Sequence, residues 1–235
     1  MSAPEVVVDR PEALADLLAR RTTDLAREAF SARGQFGVAL PGGSVATAFL
    51  PRLAGAEVDW PRADLFWGDE RAVPPDHPDS NYGLARSLWL KEAGFSADHV
   101  HRMAADAPDL DRAARDYEAA LASRYGNSPS LDLALLGVGP DGHVCSLFPG
   151  HPLLDETKKF AAAITDSPKP PPRRLTLTLP TLDAARLLVV AAFGEAKAKV
   201  MREALNDPGS SLPVARAIRT ARRCLVLLDL DAAGR

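Results

Sequence analysis

The sequence predicts an α/β protein whose mostly parallel central sheet is flanked by helices, in a Rossmann-like arrangement. Seven short apolar runs indicate buried strands, because they are rich in leucine and β-branched residues and show no polar alternation. Amphipathic stretches with a helical period lie between many of these runs. The 235 residues fit one domain over residues 1–235, with room for a small extra lobe.

The expected strands cover residues 6–8, 36–40, 64–67, 131–136, 175–179, 187–191 and 224–228. The expected helices cover residues 11–30, 45–53, 82–91, 110–125 and 196–205. Leu14, Leu18 and Leu25 form the apolar stripe of the first helix, and Asp109 and Gly126 are suitable ends for the fourth. Ligands of such folds bind beyond the carboxyl ends of the strands, so we expect the functional residues in the strand-to-helix loops.

The composition is that of a globular protein without a strongly charged partner. The net charge of −3 gives no reason to expect binding to nucleic acid or to an acidic membrane. Cys145 and Cys224 lack a metal-like or C-x-x-C spacing, which a reducing compartment would permit, although two cysteines could also form a disulfide. No secretory signal is visible, and no apolar run approaches the ~20 residues of a membrane span. We therefore expect a cytoplasmic monomer or weak homo-oligomer.

The first segment with chemical potential follows the second expected strand, where Gly42, Gly43 and Ser44 precede a helical stretch. Glycines let backbone amides approach an anion, and a helix N-terminus adds a favourable dipole. Ser44 can either cap the helix or donate its hydroxyl to a phosphate oxygen. The segment is equally compatible with a phosphate-binding loop and with an ordinary turn.

The second segment follows the third expected strand and contains Asp69, Glu70 and Arg71 before a proline-rich loop. Charges at a strand end are often only solvated surface. Here acidic and basic groups are concentrated in one loop, and the guanidinium of Arg71 offers a planar pair of donors for phosphate. Asp79 or Ser80 can cap the helix that follows.

The third segment carries Gly137, Gly139 and Gly142 after a strand, in the G-x-G-x-x-G pattern of dinucleotide-binding loops. That motif requires a long helix at its third glycine, whereas a proline follows here within seven residues. The alternative is a turn that holds Asp141 and His143 above the sheet. Histidine is a suitable general base near neutral pH, and a carboxylate can fix its tautomer.

Other nucleophiles and metals find less support. Cys145 shows no sign of activation, and Ser146 does not lie in a G-x-S-x-G elbow. His77, His99 and His101 lack H-E-x-x-H or a comparable spacing, so no metal site is expected.

Cations flank two later strands and are also candidates. Arg173 and Arg174 precede one strand, and Lys197 follows another. Most such residues are solvated charge. The proline-rich segment 166–173 leads straight into a strand, which favours a rigid polyproline-like connection near the site over a domain linker.

Five segments, in this order, resemble the 6-phosphogluconolactonase family of the pentose phosphate pathway. They are Pro-Gly-Gly-Ser at 41–44, Trp-Gly-Asp-Glu-Arg-Ala-Val-Pro at 67–74, Gly-Val-Gly-Pro-Asp-Gly-His at 137–143, Arg-Arg-Leu-Thr-Leu-Thr at 173–178 and Gly-Glu-Ala-Lys at 194–197. The Asp-Glu-Arg triplet together with Gly-Pro-Asp-Gly-His is the specific part. The chain departs from the family at 45–46, where Val-Ala replaces a common Thr-Pro, and at 144–145, where Val-Cys replaces Thr-Ala.

This resemblance implies the fold that the family shares with glucosamine-6-phosphate deaminases, ribose-5-phosphate isomerase A and CoA-transferases. It implies hydrolysis of 6-phospho-D-glucono-1,5-lactone, with His143 as general base, Asp141 as its orienting partner, and neither metal nor cofactor. The implied substrate-binding residues are Gly42, Gly43, Ser44, Asp69, Glu70, Arg71, Arg173 and Lys197. Which of the three cations meets the phosphate and which meets the oxyanion stays open.

Two other functions are compatible with the same residues. A deaminase or isomerase of an amino-sugar phosphate would share the phosphate loop, but we would expect Asp-Glu-Tyr where this chain has Asp-Glu-Arg at 69–71. A non-catalytic regulator that binds sugar phosphates would have no need of Asp141 and His143, which are both present.

Overall fold

The computed structural model describes residues 3–91 and 95–235. Within these ranges the chain forms nine strands: β1 (Glu5–Val8), β2 (Gly37–Leu40), β3 (Asp64–Trp67), β4 (Asp69–Arg71), β5 (Leu133–Gly137), β6 (Ala161–Ile164), β7 (Arg174–Leu177), β8 (Leu187–Ala192) and β9 (Cys224–Leu228). All seven predicted strands are present, with ends shifted by at most two residues.

Six of the strands form one parallel sheet in the order β1-β9-β8-β5-β2-β3. Every residue of β2, β3, β8 and β9 is buried, because helices and loops cover both faces of the sheet. The predicted α/β class with a mostly parallel sheet is therefore confirmed.

The other three strands form a small antiparallel sheet in the order β4-β7-β6. Neither β4 nor β6 was predicted. The charged triplet of β4 and the Ala-Ala-Ala-Ile sequence of β6 are both poor strand formers. Their extended backbones are fixed by pairing with β7, which is a long-range interaction that local sequence does not encode.

The helices are α1 (Pro11–Arg33), α2 (Gly43–Ala54), α3 (Asn81–Ala85), α4 (Leu110–Tyr125), α5 (Leu179–Ala184), α6 (Ala198–Asn206) and α7 (Pro213–Thr220), and a π-helical turn, Arg86–Leu90, extends α3. The side chain of Asp109 caps α4 as predicted, by accepting from the amide of Arg112 at 2.9 Å. Ser80, rather than Asp79, caps α3. The unpredicted α5 and α7 are short and have proline in the first turn. Over the two described ranges, no helix is long and apolar enough to cross a membrane.

A cluster of charges lies around Asp64, at the amino end of β3. His99 Nδ1 lies 3.0 Å, His101 Nε2 3.1 Å and Arg124 Nε 2.8 Å from the same carboxylate oxygen, Oδ1. Burial alone would raise the pKa of Asp64, but the hydrogen bonds from His101, His99 and Arg124 outweigh it and lower that pKa. The ionised carboxylate therefore ties the loop before α4 to the edge of the sheet.

We expect the Asp64→Asn substitution to lower the free energy of unfolding by about 2–3 kcal/mol at neutral pH, because it leaves three partly buried donors without an ionised partner. A carboxylate with a lowered pKa stabilises the fold above its unfolded pKa of ~3.9 and loses this contribution as the pH falls through its folded value. Urea denaturation of wild type and variant at neutral pH and at about pH 3 measures both effects. An equal difference at the two pH values, or an equal loss in the exposed control Asp76→Asn, would contradict this role.

Candidate active site

A pocket of about 230 Å³ lies at the carboxyl edge of the parallel sheet. It is bounded by the loops that follow β8, β5, β2 and β3, which are consecutive neighbours in the sheet. The lining includes most of the predicted site residues, namely Gly42, Gly43, Ser44, Asp69, Arg71, His143 and Lys197. The structure thus brings together groups that are up to 155 residues apart in sequence, from Gly42 to Lys197.

The glycine loop after β2 forms one wall of the pocket. Gly42 is the N-cap residue of α2, and Gly43 has a positive φ of 60°. A Cβ on Gly42 would collide with the side-chain amide of Asn81, so this position requires glycine. Ser44 lies inside the first helical turn and does not cap it, so the first of the two alternatives given for its hydroxyl is wrong. Gly42, Gly43 and Ser44 line the pocket and no side chain caps α2, so the N-terminus of this helix lies at the pocket wall, where an anion site would use it.

His143 and Asp141 form a hydrogen-bonded pair on the turn after β5. His143 Nδ1 lies 2.6 Å from Asp141 Oδ1, and the imidazole packs on Phe148 with the ring centroids 4.8 Å apart. A Cβ on Gly139 would collide with the imidazole, and Gly142 has a φ of 82°. The glycines of this turn therefore give the histidine room and the backbone its left-handed step.

The charge states of the pair suit a base and its partner. Burial is the main cause that lowers the pKa of His143, and the hydrogen bond from its ring to Asp141 only partly offsets it. Burial would raise the pKa of Asp141, but hydrogen bonds from His143 and Lys169 hold it at about 2. Near neutral pH the imidazole is therefore neutral and the carboxylate ionised.

Asp69 organises the floor of the pocket. Its carboxylate accepts from Ser146 Oγ at 2.7 Å and from Asn81 Nδ2 at 3.1 Å, and Arg174 Nη1 lies 3.9 Å away. Ser146 is thus engaged as a donor to Asp69, in agreement with the sequence argument against a serine nucleophile. Asp69 lines the pocket and holds other side chains of the site, and its predicted contact with substrate stays a prediction.

The buried cation of the site is Arg174 and not the predicted Arg173. The Arg174 side chain is only 4% exposed and lines the pocket, whereas Arg173 is exposed and donates to the carbonyl of Pro108 at 3.2 Å. Arg174 is the first residue of β7, and neighbouring residues of a strand point to opposite faces. The polar pair Arg174 and Thr176, at a spacing of two, is the sequence signal that identifies the correct arginine.

Glu70 was predicted to bind substrate, and this prediction is corrected. Its buried carboxylate accepts from the amides of Arg71, Asn81 and Tyr82 and from Ser80 Oγ, at 2.8–3.0 Å. Alternation along β4 turns Glu70 away from the pocket, which Asp69 and Arg71 line. Glu70 instead holds the end of the loop that joins β4 to α3.

We expect Glu70→Ala to lower the free energy of unfolding by about 2–4 kcal/mol, because four donors lose their acceptor in a buried place. Urea denaturation of the variant beside wild type measures the loss. The exposed Glu28→Ala on α1 is the control and should change stability by less than about 0.5 kcal/mol. A Glu70 variant as stable as this control would show that the carboxylate does not hold the loop.

The remaining candidates are two cations and a thiol. Arg71 donates through Nη1 to the carbonyl of Asp79 at 2.8 Å, while its buried Nε has no hydrogen-bond partner among the described residues. Lys197 lines the pocket, and burial and the nearby Lys169 lower its pKa. Burial raises the pKa of the Cys145 thiol well above its ordinary value, which opposes a nucleophilic role. Within the described ranges, no three His, Cys, Asp or Glu side chains are grouped to hold a metal ion.

Lys169 also belongs to the site, although it was not predicted from the sequence. This residue lies in the predicted proline-rich connection, which turns out to be the hairpin loop between β6 and β7. Its Nζ is 2.9 Å from Asp141 Oδ1 and 3.1 Å from His143 Nδ1. The expectation that this segment lies near the site is confirmed, but the lysine within it carried no motif of its own.

Fold and pocket together define an α/β protein that carries a glycine-rich loop and an Asp–His pair at the carboxyl edge of its sheet. A family model described as glucosamine-6-phosphate isomerases/6-phosphogluconolactonase matches residues 9–226. The chain belongs to this family.

Individual relatives agree with this assignment. The 6-phosphogluconolactonase of Streptomyces coelicolor is 40% identical, over 98% of this chain and 94% of its own length. That of Rattus norvegicus is 42% identical, over 91% of this chain and 85% of its own. Among solved structures, the 6-phosphogluconolactonase from Trypanosoma brucei superposes with a TM-score of 0.85 at 29% identity, covering 100% of this chain and 99% of that one. A monomeric glucosamine-6-phosphate deaminase reaches a TM-score of 0.83 at 21% identity, which shows the shared fold alone.

Proposed function

We propose that the protein hydrolyses 6-phospho-D-glucono-1,5-lactone to 6-phospho-D-gluconate, in the oxidative pentose phosphate pathway. The observation that carries this proposal is the Asp141–His143 pair in a pocket that also holds a helix N-terminus and cations. The relatives named above that are at least 40% identical are 6-phosphogluconolactonases, which supports the lactone as substrate. The Asp-Glu-Arg triplet at 69–71 supports the same choice over a deaminase.

The geometry of the pair defines the role of His143. Asp141 is ionised and can only accept, so the 2.6 Å contact places the ring proton on Nδ1. The free lone pair is then on Nε2, and this nitrogen accepts a proton from the attacking water. Asp141 stabilises the imidazolium that forms, and the imidazolium afterwards protonates the ring oxygen that leaves the carbonyl carbon.

The positive groups of the pocket complement the negative charges of the substrate and of the oxyanion that forms during the reaction. The substrate carries a phosphate, and a second negative charge develops on the carbonyl oxygen during attack. The amides of residues 42–44 and the cations Arg71, Arg174 and Lys197 place positive charge around the pocket for these two groups. Arg174 is thus the substrate-binding cation in place of Arg173, for which this role was predicted.

The activity is tested with freshly generated 6-phosphogluconolactone, by following 6-phosphogluconate and subtracting the spontaneous opening of the lactone. Glucosamine 6-phosphate is assayed in parallel for release of ammonia. Hydrolysis above background without ammonia release is the expected result. Ammonia release would identify a deaminase instead, and binding of 6-phosphogluconate without turnover of either substrate would identify a regulator.

We further propose that the whole chain of 235 residues acts as a single domain. It works in the cytoplasm, as a monomer or weak homo-oligomer, on a small-molecule substrate and without a metal or organic cofactor. Both cysteines, Cys145 and Cys224, are free thiols in the structure, which supports a reducing compartment.

A further inference from the structure

Lys169 brings a positive charge directly to the base. Its ammonium lies within hydrogen-bond distance of both members of the pair, at 2.9 Å from Asp141 Oδ1 and 3.1 Å from His143 Nδ1. The three groups come from two separate parts of the fold, since the pair follows β5 and the lysine precedes β7. Because the ammonium is positively charged, its position affects the protonation of the His143 ring.

The donors and acceptors of this triplet can be assigned. An ammonium only donates, and His143 Nδ1 already donates its proton to Asp141. Lys169 therefore bonds to the carboxylate and not to the ring, so two donors share Asp141 Oδ1. The 3.1 Å separation of Nζ and Nδ1 then becomes a contact between like charges whenever the ring is protonated.

We propose that Lys169 is a positioning residue for lactone hydrolysis, which shares Asp141 with His143 and keeps the imidazole neutral and able to accept a proton. This inference rests on the proposed function for its catalytic meaning. Asp141 alone would both orient the ring and favour its protonation. The lysine opposes the second effect while leaving the first in place.

Other charges also face His143. Asp69 on β4 and Asp141 both favour the imidazolium, and Lys169 disfavours it, in addition to the burial that is the largest cause of the lowered pKa. Arg174 lies over the ring of Phe148, on which the imidazole packs, and its Cζ is 5.7 Å from the centroid of that ring. Lys197, after β8, lies near enough to both groups that Lys169 lowers its pKa and Asp141 raises it. Among the described residues, Lys169 is the cation that directly contacts a ring nitrogen of His143.

The position of the ammonium is built into the fold. Arg174 Nη2 donates to the carbonyls of Lys169 and Pro170 at 3.1 Å each, and its Nε donates to the carbonyl of Pro171 at 3.0 Å. Ser167 Oγ donates to the carbonyl of Lys169 at 2.9 Å. These bonds hold the loop backbone, so the lysine stem starts from a fixed point close to the pair.

The variants Lys169→Met and Lys169→Arg separate the charge of the side chain from its bulk. The pH dependence of kcat/KM is measured for both and for Lys158→Met, which removes an exposed cation from a position outside the pocket lining. The quantity compared is the ratio of kcat/KM at about pH 6 to kcat/KM at about pH 8. In Lys169→Met this ratio should be roughly three- to tenfold lower than in wild type, because more of the His143 ring is protonated at the lower pH. Lys169→Arg and Lys158→Met should keep the wild-type ratio.

The titration of the His143 ring provides a readout that does not depend on activity. Its NMR signal is assigned by its loss in His143→Gln, and its pKa should be higher in Lys169→Met than in wild type or Lys169→Arg. An unmoved ring titration overturns the proposal, whatever the activity does. If the ring titration moves but wild type does not hydrolyse the lactone, the proposed function fails and the electrostatic role of Lys169 stands.

Discussion

Replacing His143 by alanine is expected to lower kcat/KM for 6-phosphogluconolactone by about 10²–10⁴-fold, the usual contribution of a general base. The protein should stay folded, because the side chain lies at the pocket wall, and KM should change little. Initial rates with fresh lactone, corrected for spontaneous opening, measure the effect, and circular dichroism checks the fold. The loss should be largest in kcat, since the proton is transferred only during the reaction.

The chain offers a matched control for this variant. His151 also pairs with an aspartate, through Nε2 at 3.1 Å from Asp166 Oδ1, but it lies outside the pocket lining. His151→Ala removes the capping bond that Nδ1 accepts from the amide of Leu153 and should leave kcat/KM within about threefold of wild type. A loss of less than threefold in folded His143→Ala would remove this residue from the role of base.

Replacing Arg174 by methionine is expected to lower kcat/KM by about 10²–10³-fold and the free energy of unfolding by about 3 kcal/mol. The variant loses a buried pocket cation, leaves Asp69 without its positive neighbour at 3.9 Å and frees the three carbonyls of the 169–171 segment. Steady-state kinetics and urea denaturation measure the two losses. Methionine keeps most of the side-chain volume, so the loss is one of charge and hydrogen bonds.

The neighbouring residue is the control for this variant. Arg173→Met removes the same kind of side chain one position away, where it is exposed and donates a hydrogen bond to the carbonyl of Pro108. It should alter kcat/KM by less than about threefold and stability by less than about 0.5 kcal/mol. If both variants lose activity equally, the assignment of the buried cation to Arg174 is wrong.

The parallel sheet was predictable because its strands are buried on both faces and therefore consist of continuous apolar runs, such as Leu187–Ala192 of β8. The second sheet was not, because β4 is a charged triplet and β6 is mostly alanine. Both strands depend on β7 for their pairing, and β6 lies more than 80 residues along the chain from β4. Local pattern contains no information on such partners.

The candidate site divides in the same way. Most of the residues predicted after parallel strands line one pocket, since the topology of the sheet brings these segments to one edge. The choice between Arg173 and Arg174 depended on which residue begins β7. The role of Glu70 depended on the alternation of side chains along β4, a strand that was not predicted. Lys169 was missed because its meeting with Asp141 follows from the hairpin between β6 and β7, and not from any spacing in sequence.

Arg174 makes contacts in two directions, to the carboxylate of Asp69 and to the loop backbone that carries Lys169. A change at either end is therefore transmitted to the other through one guanidinium. A double-mutant cycle between Asp69 and Arg174 should therefore be non-additive. Over evolutionary time, the same link restricts drift, so that an acceptable substitution at position 69 depends on the residue at position 174.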